Sequence, residues 1–436
     1  MSHGQPRILF VSLSDDIGSE RIVCEMGRLG AACAVMSRAG AVAALSSRVS
    51  RHHRLPSRGG LWGAALGVGR GLAVLTREWR PDALVPLDDM AAGALRDLAT
   101  APRTPSDVRR LLQTSLGDPG HYRTACSRAR LIESAAGLGL RTPAQRPARD
   151  AAEAEAAAAA LGFPLMVKRE GTCGGSGVAV ARDRAELAAA FRAADRRARA
   201  KRILRRLAGF RPDRDDPPIT LQAHVAGELA VHTVACARGR VLDGVGFAAE
   251  LCHPPVTGSS TLLRPLAHPE MEAAAGRLVA ALGLSGFASF DFIVSADGAA
   301  HLIEMNARPV GSGHLGRRFG HDLYGAWLAG LSGRPAPAAP AAPAAAPPPR
   351  AVALFPKEVA RDPASRHAAA SDVLHDVPWD EPAIVEAYRA RVLLLKPDAG
   401  PLLARLIGPA REPGAARSRP ALFPGEVASS PNPPGW

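Results

Sequence analysis

Apolar positions run almost unbroken from Ile8 to Leu13, and Arg7–Leu13 is predicted as a buried first strand. Polar Ser14, Asp15, Asp16 and Gly18 follow, then helical spacing of apolar residues from Ile22 to Leu29. Short apolar runs at Ala32–Met36 and Ala83–Leu87 are further strands, the second followed by Asp88-Asp89 and another helix. Strands alternating with helices, with polar residues after each strand, predict an open parallel α/β sheet. No G-x-G-x-x-G follows the first strand, so the dinucleotide fingerprint is absent.

The pattern then changes. A helix is predicted from about Tyr122 to Ala136, ending near Gly137-Leu-Gly139, and a second over Ala151–Leu161, stopped by Gly162 and Pro164. Leu165–Lys168 reads as a strand entering the glycine-rich run Gly171-Thr-Cys-Gly174-Gly175-Ser176-Gly177, with Val178–Val180 continuing beyond it. Asp183 and Glu186 form a capping box for a helix that turns strongly basic between Arg192 and Arg206. That basic stretch reads as a solvated helix face more simply than as a phosphate surface. Ile219–Val225 is strand-like again.

Between Ser289 and Arg308, alternation predicts a β-hairpin turning at Asp297-Gly298. With a two-residue turn, facing residue numbers sum to 595, so Asp291 opposes Glu304 with Cβ atoms about 5 Å apart. Asn306 shares their face, and Phe290, Phe292, Ile303 and Met305 take the other as core. Facing carboxylates repel, and with an amide oxygen beside them they form an oxygen set suited to a hard cation. The same alternation also describes an ordinary solvent-exposed polar face, and a three-residue loop would flip the parity.

The chain has 436 residues, enough for two to four domains. It is 47% hydrophobic, with net charge +13; of its 54 Lys and Arg residues only Lys168, Lys201, Lys357 and Lys396 are lysines. An arginine bias of this kind is compositional, and without a basic stripe interleaved with aromatics no nucleic-acid partner is expected. The six cysteines are scattered without a C-x-x-C pair, and no signal-like or membrane-length apolar run occurs, so a reduced cytoplasmic protein without membrane contact is expected. Pro335–Pro349 contains only Pro and Ala, an extended spacer. In the segment after it, Trp379, Ile384, Val385, Tyr388, Val392, Leu394 and Leu395 are predicted to dock on the main body, and the last two dozen residues are expected to be disordered.

Three further features carry chemistry. Lys168 stands ahead of the glycine loop, where backbone N–H groups and an ammonium converge on anions. Gln222–Glu228 is a strand end able to offer backbone groups to a purine and a carboxylate to ribose. Glu304-x-Asn306-x-Arg308 closes the hairpin.

In this order the motifs resemble the ATP-grasp superfamily, over roughly residues 105–330 and the α/β sheet before it. The resemblance implies an N-terminal open parallel α/β domain (1–104), a two-lobed α+β ATP-grasp domain (105–332) with a lid around 143–225, a Pro/Ala linker (333–349), a small C-terminal appendage (350–410) and a tail (411–436). It implies ATP and Mg²⁺, or Mn²⁺ in its place, with Asp291, Glu304 and Asn306 as metal ligands. Arg128, Lys168, Gly174, Gly175, Ser176, Gly177, Gln222, Val225, Glu228 and Ile293 would bind ATP, and Arg308 and Lys168 would act on the transferred phosphate. Arg128 stands where the family commonly has lysine, and Gln222 where many members have glutamate.

The activity implied is ligation of a small-molecule carboxylate to an amine or similar nucleophile through an acyl phosphate, by a chain that assembles as a homo-oligomer in many relatives. Carboxyphosphate chemistry, of the carboxylase or carbamoyl-phosphate kind, and a non-catalytic ATP-binding regulatory role are the alternatives. Thr257–Ser260, Arg264 and Gly311–His314 are candidate acceptor-site segments.

Overall fold

The computed structural model describes residues 5–56, 60–171, 177–207, 219–333 and 349–409. The expected Pro/Ala spacer, apart from its last residue, and the tail beyond Pro409 lie outside the described residues, as do Gly174, Gly175 and Ser176.

Three sheets form among the described residues. The first holds β1 (Arg7–Ser12), β2 (Ala32–Ser37), β3 (Val49–Arg54) and β4 (Ala83–Pro86), all parallel, in the order β3-β2-β1-β4. Both faces of β1 are covered: Ile8 and Phe10 enter one core, Leu9 and Val11 another, which explains its unbroken apolar run. The chain leaves β1 toward β2 on one side and returns to β4 on the other. The loops after β1 and β4 therefore flank a switch point, where open α/β sheets form ligand crevices.

The second sheet holds β5 (Gln145–Ala148), β6 (Leu165–Arg169), β7 (Val178–Ala181) and β8 (Ile219–Ala223), in the order β5-β8-β6-β7. The third runs β13-β12-β9-β10-β11-β14-β15, from β9 (Glu228–Ala237), β10 (Arg240–His253), β11 (Ser259–Pro265), β12 (Gly286–Val294), β13 (Ala300–Asn306), β14 (Ala351–Leu354) and β15 (Val373–Asp376). One of its faces, with Ala230, Phe290, Phe292 and Leu302, packs on the helices Arg128–Gly137 and Pro269–Ala281. The other, with Val245, Phe247 and Phe287, shares a core with Ile8 and Phe10 of the first sheet.

Several expectations change. The helix predicted from Tyr122 to Ala136 is broken at Ser127, which is extended (φ −117°, ψ 122°) and caps a new helix, Arg128–Gly137, by accepting from the Arg130 N–H at 3.4 Å. β3 and the helix Gly60–Glu78, between the two strands read at Ala32 and Ala83, went unread in the sequence. The segment after the spacer is woven in: β14 extends the large sheet beside β11, and Ile384, Val385, Tyr388 and Val392 pack with Ile17 and Val42 of the first domain. Trp379, Leu394 and Leu395, expected to dock, are exposed.

Candidate functional site

The site starts at the hairpin. Asp291 pairs with Glu304 and Ser289 with Asn306, as the sum of 595 requires, but the predicted two-residue turn is wrong. Ser295 N–H donates to Ala299 O, leaving a three-residue loop whose Gly298 adopts φ +82°, so Phe292, Ile293 and Val294 pair on a sum of 594. A bulge between Asp291 and Phe292 on one strand, and Glu304 and Leu302 on the other, absorbs the extra Ile303 and restores the register. Ile303 is thereby displaced from the core, where Leu302 stands instead. Its carbonyl is freed to accept from Lys168 Nζ at 3.5 Å.

Asp291, Glu304 and Asn306 share one face, and the Asn306 amide donates to Asp291 Oδ2 at 3.4 Å. Burial, then repulsion from Glu304, pushes the Asp291 carboxyl up to about 7. Two carboxylates and an amide, crowded to the point that one resists ionisation, fit a hard divalent cation by donor chemistry.

Two cations from the second sheet's side meet this pair. Arg128 opens its helix beside Ser127, donating from Nη2 to Glu304 Oε1 at 2.8 Å and from Nη1 to Arg169 O at 3.1 Å. Burial opposes its charge, but Glu304 raises its pKa overall. Burial brings the Lys168 ammonium down to about 8, against the pull of Glu304. Glu170, next along β6, accepts from the N–H groups of Arg128 and Ala129 at 3.2 and 3.0 Å, which ties the second sheet to this helix.

Arg308 lies two residues beyond Asn306 and turns to the loops of the first sheet. Nε and Nη2 donate to the two oxygens of Asp89, each at 2.8 Å, and Nη2 lies 3.6 Å from Asp16. Burial works against the Asp89 charge, yet Arg308 holds that carboxyl below its ordinary range. Burial raises Asp16 to about 6. Asp88 is fully buried and accepts from Ser12 Oγ, the N–H of Leu13 and Ser14, and its helix's Ala91 N–H, which braces the β1 and β4 loops together. Arg96 adds a bond to Ala307 O at 3.1 Å.

Gln222, Val225 and Glu228 lie along the crossing from β8 to β9, and Ile293 on β12 pairs with the start of β9. Gln222 is buried opposite Gln145 and Met166, and Leu229 pairs with Ile293. Gly227 lies so close to β12 that a Cβ there would meet Val294 O at 2.3 Å. Glu228 is held by Arg264 at 2.9 and 3.0 Å, which takes up the side chain read as an acceptor clamp. Gly177 O accepts from Arg169 N–H at 2.8 Å.

Asp16 and Asp89 were visible only as polar residues after strands, and their place beside Arg308 went unread. The sequence signal that could have found them was the switch point between β1 and β4.

Residues 128–206 match the family described as carbamoyl-phosphate synthase L chain, ATP binding domain. A biotin carboxylase from Campylobacter jejuni superposes with a TM-score of 0.57 at 13% identity, over 76% of this chain and 72% of that one. The chain is similar to the ATP-grasp superfamily: a family model matches part of it, and these structures share its fold. The biotin carboxylase domain of a Hydrogenobacter thermophilus 2-oxoglutarate carboxylase, solved with MgADP, ADP and bicarbonate, aligns with this chain at a TM-score of 0.55 and 15% identity, over 75% and 70% of the two chains. An ADP-bound N5-carboxyaminoimidazole synthetase from Staphylococcus aureus gives 0.54 at 12%, over 76% and 79%. In sequence, the large chain of carbamoyl phosphate synthase from Rubrobacter xylanophilus is 28% identical over 249 residues. That match covers 54% of this chain and about a fifth (22%) of the relative. Among the described residues no helix is long and apolar enough to cross a membrane.

Proposed function

We propose that the protein is an ATP-dependent ligase that phosphorylates a carboxylate and passes the acyl group to an amine. The supporting observation is the position of Arg308. It leaves the Asp291–Glu304–Asn306 face and reaches Asp89 and Asp16 on the switch-point loops of the first sheet, which supports a reading in which phosphate and acid are bound on either side of one guanidinium.

In this reading Asp291, Glu304 and Asn306 hold Mg²⁺, which supplies charge neutralisation for the ATP phosphates. Lys168 and Arg128 bind phosphate oxygens, the Arg128–Glu304 pair opening to admit them. Gln222, Val225 and Ile293 line the adenine site, with Glu228 near the ribose. A carboxylate oxygen attacks the γ-phosphorus and ADP leaves, while Arg308 and Lys168 offset the repulsion between the two anions. The amine nitrogen then attacks the acyl carbon, phosphate leaves, and the nitrogen loses its proton. Arg128 presents a planar fork where a lysine would present a point charge, so phosphate on that side would be held at two points.

A second reading, with bicarbonate as the acid and carboxyphosphate as the intermediate, draws support from the match to carbamoyl phosphate synthase. The test is ADP and phosphate release from Mg-ATP with amino-acid pools in one arm and bicarbonate in the other. Stimulation by amino acids supports the ligase, and stimulation by bicarbonate alone supports the second reading. Release of AMP and pyrophosphate, or no nucleotide binding, refutes both.

A further inference from the structure

One helix touches the chain beyond β13 twice. The helix Asp89–Thr100 begins just after β4, and its Asp89 takes both prongs of the Arg308 fork at 2.8 Å. Arg96 follows seven residues later, two turns on, and so projects from the same side of the helix. Its Nη2 donates at 3.1 Å to Ala307 O, the carbonyl of the peptide bond that joins Ala307 to Arg308. Nη1 donates back to Ala92 O at 3.2 Å, and the guanidinium lies over the Tyr122 ring, 5.6 Å from its centroid. Tyr122 opens the short helix Tyr122–Cys126, which Ser127 and Arg128 follow directly. Arg96 therefore stands between the strand end that carries Asn306 and Arg308 and the segment that delivers Arg128.

This is a costly place for a charge. Arg96 is 4% exposed, its buried Nε has no hydrogen-bond partner, and among the described residues no carboxylate lies within ion-pair distance of it. Carbonyl oxygens and a ring return less than the hydration such a cation gives up, and an apolar side chain of similar length often serves a fold as well or better.

We infer that Arg96 is a positioning residue for Arg308: it holds the peptide that begins Arg308 while Asp89, on the same helix, holds the guanidinium. Gripped at both ends, Arg308 keeps one setting between the hairpin face and the loops of the first sheet. The effect on turnover rests on the ligase reading; the effect on Arg308 itself does not.

The test uses the full-length protein with Arg96→Met. The Arg308 Nε–H, bonded to Asp89, gives a side-chain NMR signal that is identified by its absence in Arg308→Lys. Arg96→Met should shift or broaden that signal and speed its exchange with water. It should lower ADP release from Mg-ATP by about 10–100-fold, with Mg-ADP affinity within a few-fold and Tm within a few degrees of wild type. In an Arg308→Lys background the same change should lower ADP release by less than about threefold, because no fork is left to place. An unchanged Arg308 signal, wild-type turnover by Arg96→Met, or an equal loss in both backgrounds overturns the assignment. A Tm drop of about 10 °C or more also overturns it, since Arg96 would then serve the stability of the fold. No ADP release from wild type, with an Arg308 signal that still depends on Arg96, overturns the ligase reading and leaves the positioning role standing.

Discussion

Glu304→Gln separates a functional carboxylate from a structural one. Glu304 repels Asp291 across the hairpin, at about 5 Å, and attracts Arg128 at 2.8 Å between heavy atoms. At an effective dielectric constant of about 20 the repulsion is about 3 kcal/mol, and the attraction, with charge centres about 4 Å apart, about 4 kcal/mol. Neutralising Glu304 removes both, together with its pull on Lys168, so the relieved repulsion offsets much of the loss and the ligand-free protein should lose about 1–3 kcal/mol, a few degrees in Tm. Loss of one preorganised charged group at the reacting phosphate, by contrast, raises the barrier by about 3–4 kcal/mol, a rate loss on the order of 10²–10³. The assays are thermal melting in EDTA, Mg-ADP titration calorimetry, and ADP release from Mg-ATP. Turnover and Mg-ADP affinity like wild type would refute the metal assignment. A Tm drop of about 10 °C or more would mean that Glu304 serves to hold Arg128 in place.

Arg308→Lys keeps the charge but loses the two-point contact with Asp89; ADP release should fall by about 10²-fold, with Mg-ADP affinity within a few-fold of wild type by calorimetry. Arg128→Lys should leave Mg-ADP affinity within about tenfold of wild type, whereas Arg128→Met should weaken it further, read by the same titration. Tyr388→Phe removes the hydroxyl that joins Glu20 and the Gly18 N–H; it should destabilise the fold by about 1–3 kcal/mol, measured by denaturant unfolding. Burial holds the His232 imidazole down to about 4, against about 6.5 when unfolded. Above pH 6.5 the ring is neutral in both states. As pH falls from 6.5 to 4 the unfolded chain takes up the proton first, so stability should fall by up to about 3 kcal/mol, a slope that His232→Gln should reduce in pH-dependent melts.

Much of the site was legible in the sequence because its signals are local. The acidic alternation of the hairpin, the lysine before a glycine loop and the E-x-N-x-R ending each sit within a few residues of one another. The agreement at Asp291 and Glu304 nonetheless has a physical cause the periodicity did not contain. The loop took three residues, and the bulge at Ile303 reversed the parity that this loop would have imposed. The break at Ser127 was hidden because apolar spacing continues through it, although Ser127 is a good N-cap.

What the sequence by itself determined is the set of groups: two carboxylates and an amide on one face of a hairpin, Lys168 at the glycine loop, and a parallel sheet ahead of them. What only the tertiary structure decided is which charges meet. Arg308 closes on Asp89 across 219 positions of chain, and Tyr388, in a segment read as an appendage, donates to Glu20. Such pairings depend on where separate sheets pack and which counter-charges are already taken, and no local pattern of apolar and polar residues encodes either.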